Sequence, residues 1–309
     1  VEKTNKNIVP IAFVTDENYA LPTAVAIQSL IDSNDEELLI YVIANDVSKG
    51  CLDRFEKFNS DKVNINVVSI SENKKKYDEE NYYVSSNALT KFCIPRLIKD
   101  YDKVLYIDGD VLIGPCIDDL FSISVNDVYA AVVADLTAIL AKDSCNRLGL
   151  KNYFNSGMIL FNCKKYREDN MEEWLFEIKE NHPEYFWMDQ DCFNIAFDNK
   201  VKFINPRFNC MYKNMIFENT GIELAQVNEA YETNYKKLED MIDGAVVYHL
   251  ASFDKPWKYK NSFMHKEWMN YFEKSPFSDI QLKLETLDLS GARKWFGGKK
   301  AHTMPERII

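Results

Sequence analysis

An α/β fold, with a mostly parallel sheet flanked by helices, is predicted by three observations. Apolar, β-branched runs alternate with stretches of helical periodicity through the first half of the chain. The segment Lys103-Val104-Leu105-Tyr106-Ile107-Asp108-Gly109-Asp110-Val111-Leu112 has a buried-strand pattern interrupted by two carboxylates one residue apart. The 309 residues, 46% of them hydrophobic, suffice for one large core, or for a core plus an appendage.

Each element follows from its local pattern. Ile8 to Thr15 is apolar and rich in β-branched residues, a buried strand. Tyr19 to Ile31 carries Ala20, Val25, Ile27, Leu30 and Ile31 at helical spacing. Leu38 to Ala44 is the second strand, Lys49 to Phe58 the second helix and Val63 to Ile70 the third strand. Ser86 or Asn87 is placed to cap a helix running to Ile98. Val104 to Ile107 is the strand that delivers the two aspartates. This order predicts parallel strands covered on both faces by helices.

The second half is less regular. Val128 to Ala134 and Tyr153 to Phe161 read as strands, the latter with Asn155, Ser156 and Gly157 near its start. Lys164 to Lys179 reads as one amphipathic helix, and Asp189-Gln190-Asp191 precedes a helical stretch over Cys192 to Phe197. Ala245 to Leu250 is a short apolar strand containing His249. Lys74-Lys75-Lys76 followed by Asp78-Glu79-Glu80 marks a charged loop. We expect a catalytic domain over residues 1–275 and a small helical, basic-aromatic appendage over 276–309. Its end, Arg293 to Ile309, holds five Lys or Arg against one acid, with Trp295 and Phe296 among them. That composition suits weak peripheral contact with an anionic membrane surface.

Composition excludes several classes. The formal net charge of −11 argues against a nucleic-acid partner, which calls for a basic surface. No run approaches the ~20 apolar residues that span a bilayer, and Val1 to Asn7 lacks the apolar core of a signal peptide. The seven cysteines, an odd number with no C-x-x-C pair, read as reduced cytosolic thiols. No G-x-G-x-x-G follows the first strand and no G-x-x-x-x-G-K-[ST] occurs, which disfavours a standard dinucleotide fold and a P-loop.

In an open α/β sheet, ligands bind beyond the carboxyl ends of the strands. Asp16 and the Asp108/Asp110 pair both fall at such ends. Side chains two apart in extended backbone point the same way, so Asp108 and Asp110 can converge. Converging carboxylates repel unless a cation or proton lies between them. The alternatives are a metal site and a solvated acidic turn; five mostly apolar residues directly before the pair favour the metal.

Beyond the pair, ordered blocks resemble glycosyltransferase family 8, retaining sugar transferases of the GT-A fold. The blocks are Phe13-Val14-Thr15-Asp16-Glu17-Asn18-Tyr19, Tyr101 to Val111, Tyr153-Phe154-Asn155-Ser156-Gly157, Asp189-Gln190-Asp191, and His249 to Trp257 with its Lys255-Pro256-Trp257. The resemblance covers roughly Ile8 to Trp257, and the analogy runs to bacterial lipopolysaccharide galactosyl- and glucosyltransferases. It implies a metal held by Asp108, Asp110 and His249. An imidazole ligand tilts the ion toward Mn²⁺, with Mg²⁺ the other candidate. It implies donor binding by Asp16, Asn18, Lys91, Asp108, Gly109 and Lys255. Lys91 stands where relatives usually carry arginine, and Gly109 where they often carry alanine, a difference expected to be minor.

The candidate catalytic residues by resemblance are Asn155, Asp189 and Gln190, with Asp135 near the acceptor. A helix cap is the other reading of Asp189. The expected activity is retaining, metal-dependent transfer of galactose or glucose from a UDP-hexose to a glycan or glycolipid, in the cytoplasm or at the inner membrane face. A non-catalytic nucleotide-sugar-binding protein and a sugar-nucleotide pyrophosphorylase are the alternatives. The hexose, the acceptor, the linkage and the oligomeric state are not specified by these residues.

Overall fold

A computed structural model of the chain describes residues 8–70, 86–136, 143–185, 187–211, 223–251 and 253–287. Strands β1 (Ile11–Thr15), β2 (Leu38–Asn45), β3 (Val63–Ile70), β4 (Lys103–Ile107), β6 (Ala130–Ala134), β7 (Phe154–Asn162) and β8 (Val201–Phe203) form a seven-stranded sheet in the order β3-β2-β1-β4-β7-β6-β8. β5 (Val111–Ile113) and β9 (Val247–His249) make a separate antiparallel pair in which Val111 faces His249. β3, β2, β1 and β4 are parallel. β7 runs antiparallel to both β4 and β6, while β6 and β8 are parallel. The expected mostly parallel sheet is therefore present, with one reversed strand.

Strand alternation divides the core in two. Ile11, Phe13, Leu105, Ile107, Met158 and Leu160 pack on one face with helix α1 (Ala20–Ser33). Ala12, Val104, Tyr106, Ile159 and Phe161 pack on the other. That second face is covered by the 3-10 helix Ser86–Cys93, α3 (Ile94–Leu97), α5 (Cys163–Glu168), α6 (Met171–Asn181) and α7 (Met188–Ala196). The other α-helices among the described residues are α2 (Lys49–Glu56), α4 (Asp143–Leu148), α8 (Leu224–Tyr231) and α9 (His265–Lys274). Trp268 and Phe272 of α9 meet Val25 of α1 in a smaller apolar cluster. From Pro276 to Asp279 the chain stays on the core: Phe277 is buried against Phe55, and Arg54 bonds both the Pro276 carbonyl and Asp279.

Three elements differ from the sequence reading. The helix expected from Asn87 to Ile98 is a 3-10 helix that becomes α only at Ile94, where Pro95 fits the donor-free first turn. The helix expected over Lys164 to Lys179 breaks at Asn170, whose φ of 51° is left-handed, a conformation Asn tolerates well. Asp189, Gln190 and Asp191 lie inside α7, whose N-cap is Trp187, so Asp189 is not a cap. The Lys74 to Glu80 block and Arg293 to Ile309 lie outside the described residues.

Candidate metal and donor site

Asp108-Gly109-Asp110 forms the bend joining β4 to β5. The two carboxylates converge because the chain turns from one sheet into the other, and not through the alternation of a continuous strand. β9 pairs with β5 and brings His249 opposite Val111. Ligand atoms of Asp108, Asp110 and His249 all lie within 4.8 Å of one another.

Each carboxylate divides its oxygens. Asp108 Oδ1 accepts from the Tyr106 hydroxyl and lies 3.1 Å from Lys91 Nζ. Asp110 Oδ2 lies 2.6 Å from Lys255 Nζ. The other oxygens, Asp108 Oδ2 and Asp110 Oδ1, stand 3.8 Å and 3.4 Å from His249 Nε2. Two carboxylate oxygens and one imidazole nitrogen thus face a common point, a donor set suited to a divalent first-row cation. Gly157 preserves the space. A Cβ there would overlap the His249 ring and lie 2.8 Å from Asp108 Oδ2.

Cations flank the acids. Lys91, only 7% exposed, bridges Asp108 and Asp189, with Nζ 2.9 Å from Asp189 Oδ2. Burial works against its charge, but the two carboxylates outweigh burial and lift its pKa above the ordinary lysine range. Burial pushes the Asp189 carboxyl up, opposed by Lys91 and by the hydrogen bond from Ser156. Burial also acts to raise Asp110, yet Lys255 and His249 hold it well below the usual carboxylate range. Lys255 also donates to the Leu250 carbonyl (2.7 Å), and its Nζ lies 5.7 Å from the Trp257 ring centroid.

Gln190 joins the remaining candidates. Its Oε1 accepts from Asn155 Nδ2 and from the Ser156 backbone N–H, both at 3.0 Å. Its Nε2 lies 3.5 Å from Asp135 Oδ2. A register shift helps: Val132 of β6 pairs with Ile159, but Ala134 pairs with Phe154, so Asn155 to Met158 bulge out of the β6 ladder. On the other edge, the Gly157 carbonyl accepts from Asp108 N at 2.8 Å.

Asp16 accepts from Tyr19 N at 2.8 Å and from Asn87 Nδ2. Asn87 shares its 3-10 helix with Lys91, so Asp16 is tied to the element that carries the buried lysine. Asn18 is exposed at the same turn. Gly109 is not a minor difference. A Cβ there would overlap Thr23 Oγ1 and approach Thr23 Cα to 3.3 Å, so α1 sits too close for alanine unless it shifts.

Sequence reasoning missed Asn209. It is fully buried, its Oδ1 is 2.8 Å from His249 Nδ1, and its Nδ2 is 2.9 Å from Asn155 Oδ1. Its neighbour Cys210 bridges to Tyr248 of β9, which sets it beside the histidine. No spacing signal connects Asn209 to His249, since the contact is made by tertiary pairing across 40 residues.

The sheet order and its reversed strand make a GT-A fold, and the acidic bend contributes a donor set suited to a divalent cation. The family model described as Glycosyl transferase family 8 matches residues 10–261, so the chain belongs to glycosyltransferase family 8. A lipopolysaccharide 1,2-glucosyltransferase of Escherichia coli is 23% identical over 274 residues, covering 86% of this chain and 75% of that protein. The galactosyltransferase LgtC, solved with donor and acceptor sugar analogues, matches with a TM-score of 0.73 at 23% identity, over 86% of this chain and 96% of LgtC. The bifunctional glycosyltransferase WbbM matches with a TM-score of 0.70 at 19% identity; the chain spans about half of it, 51%.

Proposed function

We propose that the chain is a retaining, metal-dependent hexosyltransferase that moves galactose or glucose from a UDP-hexose to a glycan or glycolipid acceptor. The observation carrying this reading is the convergence of Asp108 Oδ2, Asp110 Oδ1 and His249 Nε2, with Lys91 and Lys255 on their outer sides. Asp108, Asp110 and His249 would hold Mn²⁺, or Mg²⁺ in its stead. A divalent ion in that position supplies Lewis acidity to a departing diphosphate and orients it. Lys255 offers a point charge to the same phosphates. Asp16 and Asn18 are assigned to the nucleoside, and Asp189, clamped by Lys91 and Ser156, to hydroxyls of the donor sugar.

Gln190 is assigned to the reacting face of the sugar as a stabiliser of positive charge. An amide is a poor nucleophile, and both acceptor positions of its Oε1 are engaged by Asn155 and Ser156. That favours a front-face displacement, in which the leaving phosphate takes the acceptor proton. Asp135, beyond Gln190, is assigned to the acceptor side. The relatives named as lipopolysaccharide glucosyltransferases support a cell-surface glycan acceptor, and we assign the activity to the cytoplasmic face of a membrane. Among the described residues no helix is long and apolar enough to cross a membrane. Peripheral contact is assigned to the basic end of the 276–309 appendage, outside the 1–275 catalytic domain.

A panel of UDP-sugars with Mn²⁺, followed by UDP release, tests this reading. Release from UDP-galactose or UDP-glucose, abolished by EDTA and by Asp110→Asn, is the expected result. Release indifferent to both treatments would overturn the metal assignment, and binding of UDP with no turnover of any donor would overturn the transferase.

A further inference from the structure

Two backbone N–H groups of β7 fix the direction of a side-chain hydrogen-bond chain that runs from His249 to Asp135. Amide orientation is ordinarily ambiguous, because oxygen and nitrogen look alike. Here main-chain donors remove the ambiguity. Ser156 N–H donates to Gln190 at 3.0 Å, so the atom facing it is Oε1 and the Gln190 amide nitrogen faces Asp135. Gly157 N–H donates to Asn155 at 2.9 Å, so that atom is Oδ1, and the Asn155 amide nitrogen is the group donating to Gln190.

The same logic passes to Asn209. Asn155 Oδ1 can only accept, so the Asn209 atom 2.9 Å from it is the amide nitrogen. The Asn209 oxygen then faces His249 Nδ1 at 2.8 Å and can only accept. His249 Nδ1 must therefore carry a proton, which excludes the neutral tautomer protonated at Nε2. The lone pair of the neutral ring lies on Nε2, the atom facing Asp110 and Asp108. Turning over any one amide would set donor against donor or acceptor against acceptor in a network buried at Asn209 and His249 and half-buried at Asn155 and Gln190, which is costly.

We propose that Asn209 is a positioning residue with two separable tasks. Its oxygen holds His249 in the tautomer that offers Nε2 to a divalent cation, and its amide nitrogen holds Asn155, and through Asn155 the Gln190 amide, in register. The catalytic half rests on the metal-dependent transferase reading above; the tautomer half does not.

Two substitutions divide the tasks. Asn209→Asp keeps an acceptor for His249 but loses the donor to Asn155. Asn209→Ala loses both. The wild-type protein, labelled with ¹⁵N-histidine and free of metal at a pH well above imidazole titration, is expected to show His249 protonated at Nδ1, the signals being assigned by their loss in His249→Gln. Mn²⁺ binding, read by electron paramagnetic resonance, is expected to weaken about 10–100-fold in Asn209→Ala, as for other partners of metal-bound histidines. In Asn209→Asp it stays within about threefold of wild type, while kcat for donor hydrolysis falls about tenfold, the worth of one lost buried hydrogen bond.

An Nε2-protonated His249 in the wild type overturns the proposal, and so does wild-type Mn²⁺ affinity in Asn209→Ala. Should that variant fail to fold, an unchanged kcat in Asn209→Asp still overturns the second task. If the wild type binds no Mn²⁺ and hydrolyses no donor, the functional reading fails, while the tautomer result stands or falls by itself.

Discussion

Gly157→Ala tests the metal-site geometry with one methyl group. The glycine lies in β7 and has no positive φ, so alanine costs nothing in backbone conformation. Its added Cβ, however, would overlap the His249 ring, and would lie 2.8 Å from Asp108 Oδ2 and 2.9 Å from Asn155 Oδ1. These neighbours cannot easily withdraw. His249 is tied to Asn209, and Asn155 is held by both Asn209 and Gln190. Overpacking at a well-packed position costs about 1–3 kcal/mol. If that strain is relieved mainly by displacing the imidazole, Mn²⁺ affinity falls about five- to 150-fold. Mn²⁺ binding by paramagnetic resonance and the Mn²⁺ dependence of UDP release measure it, with thermal unfolding of the metal-free protein as control. The expected result is a raised Mn²⁺ requirement with metal-free stability reduced by less than the binding loss. Wild-type Mn²⁺ affinity in the folded variant would refute the argument that these three side chains surround the ion.

Gly109→Ala should lower stability by about 1–3 kcal/mol through the clash with Thr23, and Thr23→Ala in the same chain should restore part of the loss in a denaturant titration. Lys91→Met should destabilise the fold by about 3–5 kcal/mol, because it leaves the Asp108 and Asp189 carboxylates without their shared cation; a midpoint unchanged in urea would show that the bridge is not formed. Asp191→Ala removes a fully buried acceptor of Arg147, Tyr153 and Trp187 N–H, and should cost a similar few kcal/mol in the same assay. Deleting Arg293 to Ile309 should lower binding to anionic liposomes and leave UDP release nearly intact; equal binding by both forms would refute a membrane role for the tail.

The parallel half of the sheet was legible because β1, β2 and β4 are nearly continuous apolar runs and β3 interleaves β-branched with polar residues, and the structure places each within three residues of the reading. The reversed direction of β7 was not legible, since an apolar run carries no sign of the way it points. Nor was the left-handed Asn170 that divides α5 from α6, because helical periodicity continues through it. Among the site residues, Asp108 and Asp110 stood out by charge at a strand end, His249 was read from resemblance, and the structure brings the three together. Asp135, Asn155, Asp189 and Gln190 were read from resemblance, and hydrogen bonds join them with Ser156. Asn209 was invisible because its role depends on two neighbours far away in sequence, and an isolated buried asparagine has no pattern.

The reversal of β7 also bears on how such a chain could diversify. Because β6 and β7 are antiparallel, Ala134 and Phe154 are partners at one end of the ladder. The connection between them opens on the same rim as Asp108, which follows the carboxyl end of β4. Residues added or removed in that connection would leave the length and pairing of β4, and the acidic bend that follows it, unaltered. One inverted strand thus lies between that connection and the acidic bend, so a change of length in the first need not disturb the second.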